Sequence, residues 1–268
     1  MDTQRTQPPP NQVDNILRSI PRQVFNPTTM HNYLATSNVE LLLVLEVWPH
    51  WFSDRAQPDV GGSKEHPVEW ARHFQECMTD AGYPECQAIT DGSHFVDAAA
   101  VVSQPIMKQL IIRDLADADL SSITQLNSLS PSELKEYVDP LYGGLALLHE
   151  GKVLLQPECC GSLSDVGSWV QALRDTPESG EIWVGHPTLS VSFLGSSVTL
   201  TEGSELRVAP DYLSRVTLEA TLFSKLVFMA EQGQMEFEEQ LVAVLVEMGL
   251  LPSLARPAAA LWSGRQTH

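Results

Sequence analysis

Two segments, GLALLHEGKVLLQ (144–156) and LSVSFLGSSVTLTEG (189–203), constrain the fold most. Each sets apolar residues on either side of a short polar turn, Glu150-Gly151 in the first and Gly195-Ser196 in the second. In the second, Leu189, Val191 and Phe193 alternate with polar neighbours, the period of a strand with one buried face. Strands joined by such short turns must run antiparallel. A third strand is read over 39–48, VELLLVLEVW, ended by Pro49, and EIWVGHP (181–187) adds another.

Helical periodicity appears elsewhere. A helix is predicted over 64–81, with Ser63 as its cap, Pro67 in the first turn, Gly82 as its stop, and an apolar stripe of Val68, Ala71, Phe74 and Met78. Cys77 lies beside that stripe and is read as core filler. Ser130-Pro131-Ser132-Glu133 reads as the start of a short helix. SLSDVGSWVQAL (162–173) forms another, capped by Ser162 or Ser164. AAAVVSQPIMKQLIIRDL is helix or strand, because Pro105 interrupts its pattern.

Leu213, Val216, Ala220, Phe223, Val227 and Ala230 recur at spacings of three and four, and Gly233 is read as a break before a second helix ending at Gly249. The expectation is an antiparallel helical hairpin across 210–249. No regular strand–helix–strand alternation is present, so the fold class is α+β: a mixed or antiparallel sheet flanked by helices, with a C-terminal helical hairpin. Residues 1–30, rich in proline and polar side chains, are expected to be a disordered or loosely attached segment. Residues 31–268 then form a single domain, with a sub-boundary considered near 140.

Charge is the strongest global signal. Thirty-four acidic residues face 16 basic ones, a formal net charge of −18. Such a field repels nucleic acid and anionic membranes and favours a basic protein partner. The longest apolar run, LLLVL (41–45), is too short to span a bilayer, and the N-terminus lacks an apolar leader, so the expected location is cytoplasmic.

No complete catalytic motif is found: there is no G-x-S-x-G, H-E-x-x-H or Walker loop. DLADADL (114–120) lacks the glycine and distal glutamate of a calcium loop. Accordingly no catalytic residue and no cofactor is expected. The chemistry that invites an alternative lies in QPECCGSL and WVGHP. Cys159 or Cys160 with His186 and a fourth group could bind zinc, or a thiol there could react, but adjacent cysteines are expected to point apart and structural zinc sites use spaced pairs. The corner is therefore read as structural: Pro157 ends a strand, Gly161 permits a turn, Ser162 caps the helix, and the thiols pack. His186, beside Gly185, is expected to lock the bend by bonding a backbone group through its imidazole. Partner contact is assigned to the aromatic loop Trp48, His50, Trp51 and Phe52, and to the acidic residues Asp114, Asp117 and Asp119.

The series YGGLALLHEGKVLLQPECCGSLSDVGSWVQAL…EIWVGHP (142–187) resembles a segment of bacterial proteins, some of them similar to immunity proteins of polymorphic toxin systems. The nearest named group is the SMI1/KNR4-like immunity superfamily, although its glycine-rich opening motif is not found here. The resemblance implies a non-enzymatic binder that neutralises a toxin or effector domain. The alternative is a small enzyme or zinc-binding protein centred on Cys159, Cys160 and His186.

Overall fold

A computed structural model of the 268-residue chain describes residues 38–63, 65–175, 179–202 and 215–265. The N-terminal segment 1–30 lies outside the described residues. Among the described residues, eight strands form two antiparallel four-stranded sheets. The first, in the order β2-β1-β3-β4, is built from β1 (Val39–Glu46), β2 (Phe95–Asp97), β3 (Gly143–His149) and β4 (Lys152–Leu155). The second follows chain order: β5 (Ser179–Ile182), β6 (Leu189–Leu194), β7 (Ser197–Glu202) and β8 (Arg215–Glu219). Helices α1 (Pro67–Asp80), α2 (Ala98–Val101), α3 (Pro105–Asp117), α4 (Val166–Asp175), α5 (Ala220–Glu247) and α6 (Pro252–Trp262) flank them. The α+β reading holds, and the sheets are antiparallel throughout.

Both hairpins form at the expected turns. Glu150 and Gly151 adopt φ 52° and 73°, the paired left-handed angles that match strand twist in a two-residue turn. β1 pairs with β3 over its length, from Val39 opposite His149 to Leu45 opposite Gly143. One face of this sheet contributes Leu41, Leu43, Leu45, Leu145 and Leu147 to a core shared with the second sheet and α5. The other face carries a small cluster of Val44, Phe95, Ala146 and Leu148.

The helical hairpin is made from different residues than expected. Val216 and Leu218 are buried on strand β8, where they alternate with the less buried Thr217 and Glu219, and Leu213 lies outside the described residues. α5 then runs unbroken for 28 residues through Gly233. One interior glycine costs a helix only about 1 kcal/mol. Beside it, the buried Gln234 side chain donates to the carbonyls of Leu163 at 2.8 Å and Ser263 at 2.6 Å, tying the helix midpoint to two other segments. The antiparallel partner is α6, reached by a turn at Gly249 (φ 100°), so the hairpin spans 220–262.

Two further corrections concern helix starts. α1 begins at Pro67 with His66 in the cap position, not at Ser63. Proline needs no N–H partner there, which makes it a natural first residue. Val68 points outward at 61% exposure, and His73, Phe74, Cys77 and Met78 make the buried stripe. Pro105 likewise opens α3 instead of breaking a pattern. Ser130–Glu133 starts only a single 3-10 turn, Leu134–Glu136, although Glu133 does accept the Ser130 N–H at 2.7 Å.

Candidate functional site

Two regions gather chemically capable side chains. The first is an acidic groove of about 420 Å³ along the C-terminal half of α3. Asp114 and Asp117, three apart, share one face of that helix. The 3-10 turn before Val138 delivers Glu136, and the extended entry to β3 delivers Asp139 and Tyr142. Four carboxylates line this groove, and among the described residues no lysine or arginine does. Tyr142, 54% exposed, and Tyr137 add aromatic walls.

A small neighbouring recess continues the groove to Trp51, whose ring lies under the Arg113 guanidinium at 4.1 Å. The structure thus brings Trp51 of the aromatic loop together with Asp114 and Asp117. The other members of the predicted patch do not line the groove, although His50 stands edge-on to Trp51 at 6.1 Å and its ring lies 5.8 Å from that of Trp48. Trp48 stacks on His94 with centroids 3.9 Å apart, Phe52 meets Tyr83 edge-on at 6.0 Å, and His50 is exposed on the 3-10 turn Pro49–Trp51. Asp119 occupies the turn after α3 with φ 60° and does not line the groove.

Asp114 is the electrostatic centre of the groove. Its carboxylate accepts the Trp262 indole N–H at 2.6 Å, which joins α3 to α6. Burial pushes its pKa up to about 6, and the charges of Asp139 and Asp117 push the same way, against the pull of the Trp262 hydrogen bond. Carboxylates that repel one another at close range are relieved by a cation placed among them.

The second region is the corner between β4 and α4. Glu158 donates its N–H to the Val184 carbonyl at 2.7 Å, and His186 donates to the Cys159 carbonyl at 3.1 Å, forming a short antiparallel bridge. The chain reverses within Glu158–Gly161, closed by the Gly161 N–H to the Glu158 carbonyl at 3.0 Å. Cys160 takes φ 66° at this reversal. Two glycines permit the approach. A Cβ on Gly185 (φ 103°) would collide with the carbonyl oxygens of Cys159 and Glu158, and one on Gly161 would lie 2.9 Å from those of Gly143 and Val184.

The outcome corrects two expectations. The adjacent cysteines do not diverge: one thiol sulfur from each and an imidazole nitrogen of His186 all lie within 4.8 Å of one another. The left-handed angle at Cys160 is the physical reason, since it turns the backbone over and swings the second thiol beside the first. Neither thiol packs into the core, as both are exposed. The His186 backbone N–H bonds across the bend to the Cys159 carbonyl, and its ring stands edge-on to Trp183 at 4.6 Å. The thiol of Cys160 is held above its usual pKa, first by the charge of Cys159 and then by its hydrogen bond.

Cys77 and Cys86 are buried, which raises both thiols, Cys86 to about 12. They are core residues. No helix among the described residues is long and apolar enough to cross a membrane. No protein family, curated protein or solved structure matches the chain.

Proposed function

We propose that this chain is an acidic binding protein that receives a cationic side chain of a basic protein partner in the groove formed by Asp114, Asp117, Glu136 and Asp139. The observation that carries the reading is the convergence of four carboxylates, two from α3 and two from the stretch 136–139, on one aromatic-walled groove with no basic residue among its described lining, Arg113 standing in the adjoining recess over Trp51. The net charge of −18 adds long-range steering, which raises association rates with a basic partner and weakens with salt. Tyr142 and Trp51 offer the aromatic surface that commonly anchors such an interface. The resemblance of residues 142–187 to bacterial immunity proteins supports the narrower reading, neutralisation of a toxin or effector domain in the cytoplasm.

The test uses the product of the gene next to this one, co-expressed with the full chain. A stable complex is expected, with affinity falling steeply as salt rises. Asp117→Asn, Glu136→Gln and Asp139→Asn together should weaken it at least about tenfold, on the scale of lost charge pairs at an interface. An equal neutralisation at exposed positions elsewhere, Asp59, Glu65 and Asp91, should change it far less. Equal losses from the two triple variants would remove the groove from the account.

A further inference from the structure

We propose that Cys159, Cys160 and His186 form a three-donor site for a thiophilic divalent cation of the zinc class, with a fourth position open to solvent or to an incoming ligand. The inference is independent of the acidic groove.

Geometry comes first. In a tetrahedral zinc site, bonds of about 2.3 Å to sulfur and 2.0 Å to nitrogen set the donor atoms about 3.5–3.8 Å apart. The two thiols and the imidazole already lie within 4.8 Å of one another, so rotation of exposed side chains is enough to close them on an ion. The donor types agree with the metal: thiolate and imidazole suit zinc, while calcium and magnesium demand oxygen. Three protein donors with a free fourth place is the arrangement of an exchangeable or reactive site, whereas structural sites close all four.

The local backbone explains how the donors come together. Cys160 holds a left-handed φ of 66°, a conformation that disfavours any residue but glycine. Glycine would occupy the turn at lower cost, and the exposed cysteine recovers nothing by burial. What Cys160 adds at this position is a second sulfur beside Cys159. The rest of the corner is rigid. The Cys159–His186 bridge, the Glu158–Val184 hydrogen bond and the glycines at 161 and 185 fix the histidine strand against the cysteine turn before any ion arrives. Pre-ordered donors lower the entropic cost of binding. The Cys159 thiol also donates to the His186 carbonyl at 3.5 Å, which ties the two donor residues together.

Binding is balanced simply. Each thiol loses its S–H proton to solvent, the imidazole binds as the neutral ring, and two thiolates offset the two positive charges of the ion. No bond of the chain breaks and no oxidant is required.

The experiment adds cobalt(II), a spectroscopic stand-in for zinc, to the reduced full-length chain. One equivalent should produce the absorption of a tetrahedral cobalt thiolate and quench Trp183, whose ring abuts His186. Zinc should displace it. Cys159→Ser with Cys160→Ser should abolish the absorption, and His186→Asn should weaken binding at least about tenfold, as expected for loss of one of three protein donors. Cys160→Gly provides the folding control: it relieves the backbone, should leave the chain folded, and should lose the cobalt thiolate absorption as the paired serine variant does. Trp183→Phe should remove the quench and keep the absorption. The proposal is overturned if the reduced, folded chain gives no cobalt thiolate spectrum, or if that spectrum survives in the Cys159→Ser, Cys160→Ser variant.

Discussion

The acidic groove and the cysteine corner are assembled in opposite ways. The groove is a meeting of side chains: α3, a 3-10 turn and the entry to β3 each contribute carboxylates, and exposed Asp117, Glu136 and Asp139 take no part in holding the backbone. The corner is a meeting of main chains, in which carbonyls and N–H groups of 158–161 and 184–186 approach so closely that only glycine fits at two positions. A surface built from side-chain charge tolerates substitution and loses function by degrees. A corner built from backbone contact should fail abruptly.

The sharpest contrast is expected from one methyl group. Gly185→Ala must displace two carbonyl oxygens at a φ of 103°, so a loss of about 4 kcal/mol or more is expected from denaturant midpoints. Gly151→Ala, at φ 73° with open space around it, should cost only about 1 kcal/mol. Equal losses would mean that the corner is not held by its backbone.

Within the groove the largest stability effect belongs to Asp114, through pH. It ionises near 6 when folded against 3.8 as its ordinary value, so the folded chain retains an extra proton between those limits. Stability should therefore fall as pH rises from about 4 to about 6 and stay low above that, by at most about 3 kcal/mol from this group. Asp165, buried in the cap of α4 and also raised to about 6, contributes in the same direction. Asp114→Asn keeps an acceptor for Trp262 and should flatten part of the slope in thermal melts across that range. A slope of opposite sign would show that Asp114 is stabilised by its charge.

Smaller effects separate backbone from function. Cys160→Gly should raise stability by about 0.5–1 kcal/mol, as relief of a left-handed non-glycine residue does, while removing a metal donor. The triple neutralisation of Asp117, Glu136 and Asp139 should leave stability within about 0.5 kcal/mol, the usual range for surface positions, while weakening capture of a basic partner. A large loss of stability from that triple variant would assign those carboxylates a structural role.

The legible parts of the chain were those fixed by neighbours in sequence. The β3–β4 and β6–β7 hairpins follow from alternation and turn residues, and α4 from its serine cap, whose partner Asp165 returns a bond to the Ser162 N–H at 2.9 Å. Gly233 misled because a buried glutamine one residue later compensates for it with bonds 71 and 29 residues away in the chain. Val216 and Leu218 satisfy both a helical and a strand period over a few residues, and only pairing with β7 decides between them. For the site, the acidity of 114–120 was visible, but its convergence with Glu136, Asp139 and Trp51 depends on tertiary packing. Cys159, Cys160 and His186 were recognised as a set. Their proximity was missed because spacing rules assume extended or helical backbone, and the left-handed angle at Cys160 violates that assumption.

The most direct test of the account is to titrate the isotopically labelled full chain with an arginine-rich peptide at physiological salt and map the perturbed amide resonances. Perturbations concentrated on 113–118 and 136–142, growing as pH rises through about 6 as Asp114 loses its proton, are the predicted result. Perturbations spread evenly over the exposed carboxylates, or none, would contradict a built site for a cation and leave the acidity as surface solvation alone.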